Sequence, residues 1–337
     1  KSGERGIFSR VASKRQAAKN GRRDTNYVFG TNPCSEIILR PHQFCNLSEV
    51  VVRAEDTPQS LKEKVRIATI LGTWQSTLTK FPYLRKVWKK NTEEERLLGV
   101  SLTGILDNKI MGEVNDNTKQ LLRELKDVAI KTNADLSTLL GISQSTAITC
   151  IKPSGTVSQL VDSASGIHPR HSNYYIRRVR GDKKDPLSQF LKDSGVPTEN
   201  CVMKGDSTVV FSFPIKAPEG AMVRDDLTPT QHLDLWLMYQ NEWCEHKPSV
   251  TISVAEQDWA EVSAWVWKNF DDISGISFLP YDGGTYKQAP YEEVSKEQYE
   301  ELLAKMPTTI NWSGLVEEDD NVKGVQELAC SSGSCEI

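Results

Sequence analysis

Short apolar, β-branched runs alternate with helix-period apolar stripes along the chain, and this alternation limits the possible folds more than any single motif. Residues 37–39, 50–52, 147–151, 209–213, 250–254 and 276–280 read as strands. Thr57 and Pro58 supply a cap and a first-turn proline for a helix, with Leu61, Val65, Ala68, Leu71, Trp74 and Leu78 at spacings of three and four. Phe81 and Pro82 are expected to end or bend it. A second helix is expected from about Asp116 to Leu140, with Leu121, Leu125 and Val128 on one side. Thr228 and Pro229 open another, carrying Leu233, Trp236, Leu237 and Trp243. Trp259, Val262, Val266 and Phe270 mark the next, and Ser295 with Gln298 forms a capping box for a last one through Leu303. No dinucleotide-type glycine fingerprint and no internal repeat accompanies the pattern. The expected class is α/β with several parallel strands.

At 337 residues the chain can bury a sizeable core as one large domain or two smaller ones. Hydrophobic residues at 38% and charged residues at 26% place it among globular rather than disordered chains. A net charge of −4 argues against a strongly basic nucleic-acid binder, so phosphate recognition would have to come from particular sites. No apolar run approaches a membrane span, and no secretory signal is visible. The seven cysteines are an odd number in a long chain and do not make a secreted disulfide scaffold; a reducing cytoplasm is the expected compartment. His168 and His171 flank Pro169 and Arg170 with no cysteine nearby, so no metal site is expected there. The chain opens at Lys1 without an initiator Met, and residues 13–24 read as a polar, basic connector, so an upstream portion is expected.

Three stretches carry candidate chemistry. In Asn32-Pro33-Cys34-Ser35-Glu36, an amide, a thiol and a carboxylate stand at alternate positions, with Cys45 downstream. Proline biases its predecessor toward extended geometry, and an extended segment would project residues 32, 34 and 36 to one side. The amide can orient a hydroxyl, the carboxylate can take its proton and the thiol can do sulfur chemistry; the alternative is a structural cysteine in a turn. Residues 147–151 run into Lys152-Pro153-Ser154-Gly155-Thr156, and a helix is expected near Val157. Pro153, Ser154, Gly155 and Thr156 can cap that helix or receive phosphate on its first amides, though without Walker spacing. Tyr174, Tyr175, Arg177 and Arg178 can hold phosphate, line a pocket or face solvent. The chain turns acidic at Glu317 and ends with Cys330 and Cys335 separated by small residues. That pair can close an accessible disulfide, be oxidised adventitiously or capture a metal.

Taken together these motifs resemble the carboxyl-terminal part of ribonucleotide reductases of the adenosylcobalamin-dependent (class II) kind. The resemblance also includes residues 165–169, 174–178, 243–246, 277–280 and 286–291. Many family members carry glycine where this chain has Ser35. The resemblance implies the later half of a ten-stranded α/β barrel with the catalytic loop at its centre, spanning residues 1–306, and a flexible redox tail at 307–337. It implies that Cys34 is the thiyl site that removes the ribose 3′-hydrogen, that Glu36 takes the 3′-hydroxyl proton, and that Asn32 holds the hydroxyls. Cys45 would supply reducing equivalents against a partner cysteine upstream, and Cys330 and Cys335 would re-reduce it and be reset by a thioredoxin-like dithiol. Pro153 to Thr156 would receive the substrate phosphates. The implied cofactor is adenosylcobalamin, with no residue nominated to contact it. The implied substrate is a ribonucleotide, a ribonucleoside triphosphate in the leading reading with the diphosphate left open, and the implied partner is the amino-terminal portion of the same enzyme. Neither nucleic acid nor membrane is implied as a partner. The competing readings are a class I large-subunit fragment and a non-catalytic nucleotide-binding or redox relic.

Overall fold

The computed structural model describes residues 5–281 and 287–316. In chain order the first elements are β1 (Arg5–Phe8), α1 (Arg10–Ala18), β2 (Gly30–Thr31), β3 (Ile38–Leu39) and β4 (Asn46–Val51). There follow α2 (Pro58–Gln75), α3 (Lys86–Glu95), β5 (Leu98–Thr103), α4 (Lys109–Gly112), α5 (Asp116–Leu140) and α6 (Val157–Leu160). Next come β6 (Tyr174–Asp182), α7 (Pro186–Asp193), β7 (Thr198–Asn200), β8 (Thr208–Lys216) and α8 (Pro229–Glu242). The last are β9 (Thr251–Val254), α9 (Trp259–Lys268), β10 (Gly275–Pro280), β11 (Tyr291–Glu293) and α10 (Lys296–Lys305).

The chain divides into two units. The larger takes residues 5–170 and 219–280 and is built on parallel pairing. β4 runs parallel to β5 in the register Asn46↔Leu98 to Val51↔Thr103. Val100 of β5 bridges in parallel to Thr149, Ile151 bridges in parallel to Pro248 at the approach to β9, and β9 is parallel to β10. β1 closes the outer side of β10 antiparallel. These strands therefore follow one another in hydrogen-bonded succession. β5 is buried at every position, as expected for a parallel strand covered on both faces. Leu98, Val100, Leu102, Ile252 and Ile276 share one core with Leu61 and Val65 of α2, Leu121 and Leu125 of α5, and Trp236 and Tyr239 of α8.

Local signals explain the helix bounds. Thr57 accepts from Ser60 N and completes a capping box before Pro58, while Asn115 caps α5 and Gly141 ends it in the left-handed conformation. Two expectations are corrected. α2 ends at Gln75, ahead of Phe81 and Pro82, and only the early part of its stripe is buried: Leu71, Trp74 and Leu78 are exposed. The supposed connector at 13–24 begins within α1, where Gln16 Nε2 donates to the carbonyls of Gln240 (3.0 Å) and Cys244 (2.7 Å). That segment docks through hydrogen bonds and ion pairs, which an apolar-periodicity reading does not register.

The smaller unit takes residues 171–218 with 281 and 287–316. It is a four-stranded antiparallel sheet in the order β11-β6-β8-β7, with Val196, Val209 and Phe211 at its core. Arg178 Nη1 pairs with Glu292 Oε2 at 2.5 Å, and the Arg177 guanidinium lies 4.3 Å from the Tyr291 ring centroid. Both arginines thus have partners within this unit. Cys330 and Cys335 lie outside the described residues, as does Tyr286.

Candidate functional site

A two-residue antiparallel pairing, Gly30↔Leu39 and Thr31↔Ile38, presents residues 32–37 as a hairpin tip. The tip is a tight turn, not the extended segment expected from the sequence. Ser35 N donates to Asn32 O (2.9 Å), so Pro33 and Cys34 occupy the two central turn positions. Ser35 then adopts φ +70°, a left-handed conformation unfavourable for a residue with a Cβ. The proline that favours an extended predecessor also preorganises the first central position of a β-turn, and the turn bond prevails.

The turn nonetheless brings amide and carboxylate together. Asn32 Nδ2 donates to Glu36 Oε2 (2.7 Å), and Asn32 Oδ1 accepts from Ile37 N (2.9 Å). Glu36 is buried, while Cys34 is exposed. Segment 247–249 anchors the turn. Lys247 N donates to Glu36 O (3.2 Å), and Ser249 Oγ donates to Cys34 O (2.6 Å). Cys34 and Ser35 line a cleft of about 200 Å³ with Gly6, Ile7, Phe8, Ser249, Val250 and Gly275 to Ser277.

The hairpin arms are tied to the core by buried charge. Arg23 forks onto Glu95 with two 2.9 Å bonds and donates to Ile38 O at 2.8 Å. Arg40 joins Glu95 at 3.1 Å. Arg22 forks onto Glu245 at 2.6 and 2.7 Å, and Glu245 also accepts from Ile148 N (2.9 Å). His246 Nδ1 accepts from Ile38 N (3.3 Å), which leaves its proton on Nε2 to donate to Leu98 O (2.9 Å). Burial, reinforced by the Arg23 charge, pushes the His246 pKa down to about 3.

Glu36 is the electrostatic meeting point of the sequence-derived candidates. The Cys45 thiol is pushed well up, first by burial and then by the Glu36 charge, with Arg23 opposing. Cys150, which carried no motif, is raised by burial and feels both Glu36 and Cys45. Glu49 is raised by burial against the pull of Lys152 and of hydrogen bonds from Ser154 and Ser101, and it too feels Glu36. Ser154 Oγ donates to Glu49 Oε2 (2.8 Å), so its hydroxyl faces the protein. Gly155 and Thr156 are exposed, and a Cβ at Gly155 would meet nothing within 4 Å. The expected helix does start at Val157, but it runs only to Leu160.

Sequence reasoning missed Lys247, Glu49, Arg23 and Glu95. Lys247 is fully buried, and its position directly after the 243–246 stretch was the only sign of it. Among the described residues no cluster of three or more His, Cys, Asp or Glu is placed to hold a metal ion. No helix among them is long and apolar enough to cross a membrane.

No protein-family model matches the chain. It is 30% identical over 316 residues to an adenosylcobalamin-dependent ribonucleoside-triphosphate reductase of Euglena gracilis, covering 91% of this chain and 42% of that protein. It is 29% identical over 361 residues to the Lactobacillus gasseri protein of the same name, covering 98% of this chain and 47% of that one. A crystal structure of a B12-dependent (class II) ribonucleotide reductase superposes with a TM-score of 0.77 at 26% identity, covering 96% of this chain and 49% of that chain. The alpha subunit of the Actinobacillus ureae class Id ribonucleotide reductase shares the fold at 14% identity, with a TM-score of 0.54. The chain spans about half the length of the curated relatives it matches.

Proposed function

The chain is a homologue, over nearly its whole length, of part of the adenosylcobalamin-dependent ribonucleotide reductases, and from that premise we propose that it is their catalytic carboxyl-terminal portion. It would reduce ribonucleoside triphosphates to deoxyribonucleotides together with an amino-terminal portion, on the same or a separate polypeptide. The parallel succession from β4 to β10 would form the later half of a ten-stranded barrel, with the Cys34 hairpin threading its centre. The observation that carries this reading is the turn itself, which holds Asn32 and Glu36 in a 2.7 Å hydrogen bond and leaves Cys34 at an open cleft.

In the proposed reaction Asn32 orients the ribose hydroxyls, and Cys34, as a thiyl radical, takes the 3′-hydrogen. Glu36, hydrogen-bonded to Asn32 beside the exposed Cys34, accepts the 3′-hydroxyl proton. The 2′-hydroxyl leaves as water, because the neighbouring radical can delocalise onto oxygen. Cys45 and a cysteine of the amino-terminal portion close a disulfide, one giving the proton that departs with the 2′-hydroxyl as water and the other the hydrogen taken up at the 2′ carbon, while Glu36 returns its proton to the 3′ oxygen and Cys34 its hydrogen to the 3′ carbon. Cys330 and Cys335 would reduce that disulfide and pass the oxidation to a thioredoxin-like dithiol. Gly155 and Thr156 would meet the substrate phosphates through exposed backbone and hydroxyl, with Pro153 and Ser154 shaping the turn.

No amino acid starts such a radical unaided. What the residues offer a radical-supplying group is access to sulfur: Cys34 is exposed at the mouth of a cleft of about 200 Å³, too small to enclose a corrinoid, so the group would have to approach Cys34 from outside the cleft. Adenosylcobalamin, when bound, supplies the radical that removes hydrogen from the Cys34 thiol.

The test combines this chain with the upstream portion, adenosylcobalamin, a ribonucleoside triphosphate and a dithiol. Deoxyribonucleotide should form, and Cys34→Ala should yield none; product from that variant removes the mechanism. A Cys34-dependent paramagnetic signal that appears on adding adenosylcobalamin separates this reading from a class I fragment requiring a radical-generating subunit. Nucleotide binding without turnover would identify a relic. With Cys330→Ser, one turnover should persist while thioredoxin-supported recycling stops.

A further inference from the structure

We propose that Lys247 is the positioning residue of the Cys34 turn: its buried ammonium, hydrogen-bonded to Ser35 Oγ, holds Ser35 in the left-handed conformation that presents Cys34 to the cleft. The geometry on both sides of the bond is unusual. Lys247 is 0% exposed, and among the described residues no carboxylate forms an ion pair with it. An ammonium taken out of water without a counter-ion is costly, and this one is compensated only by weak partners. Nζ donates to Ser35 Oγ and, at 3.4 Å, to Ser274 O, and it lies 4.9 Å from the ring centroid of Phe8 on β1. Among the described residues Glu36 is the carboxylate whose charge it feels, and burial outweighs that attraction, pulling its pKa down to about 7.

Ser35 stands at φ +70°, where glycine would sit without strain. It lies between the exposed sulfur and the buried carboxylate, so a change of its backbone would separate Cys34 from Glu36. Lys247 grips the turn twice, through N–H to Glu36 O and through Nζ to Ser35 Oγ. The fit extends to β10: a Cβ on Gly275 would lie 2.3 Å from Lys247 Nζ and 2.9 Å from Ser35 Oγ. Glycine at 275 is therefore what leaves room for the lysine–serine contact.

This inference rests on the proposed function only for what Cys34 does, and its test needs no turnover. Amide exchange is measured on the full chain at Ser35 and Ile37, whose N–H groups close the turn onto Asn32. The thermal midpoint and the exchange of α5 are recorded alongside. In Lys247→Met, exchange at those two amides should quicken about tenfold while α5 is unchanged and the thermal midpoint rises, because an uncompensated buried charge has been removed. Adding Ser35→Gly should bring exchange back to within about threefold of wild type, since glycine holds φ +70° unaided. A general loss of packing would instead lower the midpoint, quicken exchange everywhere and resist that rescue. Unchanged exchange at Ser35 and Ile37, or a double variant no better than the single, overturns the proposal. Should Lys247→Met not fold, Gly275→Ala displaces the ammonium sterically and must give the same local signature. Absence of deoxyribonucleotide in the reconstituted system would remove the reductase reading and leave this result standing.

Discussion

Cys34, two residues before the buried Glu36, and Cys45, whose thiol feels the Glu36 charge, are kept in contrasting states. Cys34 is exposed at the hairpin tip, with its carbonyl pinned by Ser249 and its residue lining an open cleft. Cys45 is half-buried immediately before β4, and its thiol is pushed up by burial and by Glu36. In the proposed reaction the sulfur that meets the radical source and the sugar needs access. A sulfur that must deliver hydrogen together with electrons has to remain S–H until it is used. The difference between the two sulfurs is one of solvent access, to which the Glu36 charge adds at Cys45.

The largest expected effect tests that contrast directly. With limiting iodoacetamide at pH 8, Cys34 should be alkylated about a hundredfold faster than Cys45 or Cys150, as read by peptide mass spectrometry. Comparable rates at the three sulfurs would break the comparison. Next in size is acid. His246 bonds the hairpin arm at Ile38, and its folded pKa of about 3 lies below the unfolded value near 6.5. A group depressed in this way contributes stability above pH 6.5 and loses it as pH falls toward 3. The loss should reach about 2 kcal/mol from His246 by pH 4.5 in urea titrations, with His232, also depressed to about 3, adding to it. A flat stability between pH 6.5 and 4.5 would mean that neither ring is buried as neutral imidazole.

What could be read from the sequence follows from which forces leave a periodic trace. The helix at 116–140 was legible from the apolar side made by Leu121, Leu125 and Val128, and the caps at Asn115 and Gly141 fix its ends. β5 was not, since burial on both faces removes alternation and Gly99 and Ser101 interrupt its apolar run. α1 escaped notice because it docks through Gln16 and is followed by Arg22 and Arg23, which bind carboxylates distant in sequence. In the site, the residue types at 32, 34 and 36 were legible as chemistry, while the turn joining them was not. The Asn32–Glu36 bond arises from a left-handed Ser35, and a lysine more than two hundred positions away accompanies it. Sequence proximity carries no sign of such a partner.

A smaller effect probes the sheltered side alone. Gly99 lies on β5, where a Cβ would come within 2.4 Å of Leu47 Cδ2, 3.0 Å of Ile37 Cδ1 and 3.2 Å of Cys150 Sγ. Gly99→Ala should cost about 1–3 kcal/mol in denaturant unfolding by overpacking that side, and Cys150 should become more readily alkylated while Cys34 does not. Equal changes at both sulfurs would show that hairpin tip and strand move as one body.

The smallest expected effect separates charge from burial. Glu36 is the second cause of the raised Cys45 thiol, after desolvation, so Glu36→Gln removes one contribution and leaves the larger. The Asn32 amide can still donate to the remaining carbonyl, so the turn is expected to keep its shape. Cys45 alkylation near pH 9 should rise about threefold, within the range of one partly screened charge, and Cys34 should change less. A rise as large as that produced by exposing Cys45 to solvent would mean that the carboxylate, not the packing, holds that sulfur as a thiol. No rise at all would assign its protection to burial alone, and the contrast between the two cysteines would then reduce to one of depth.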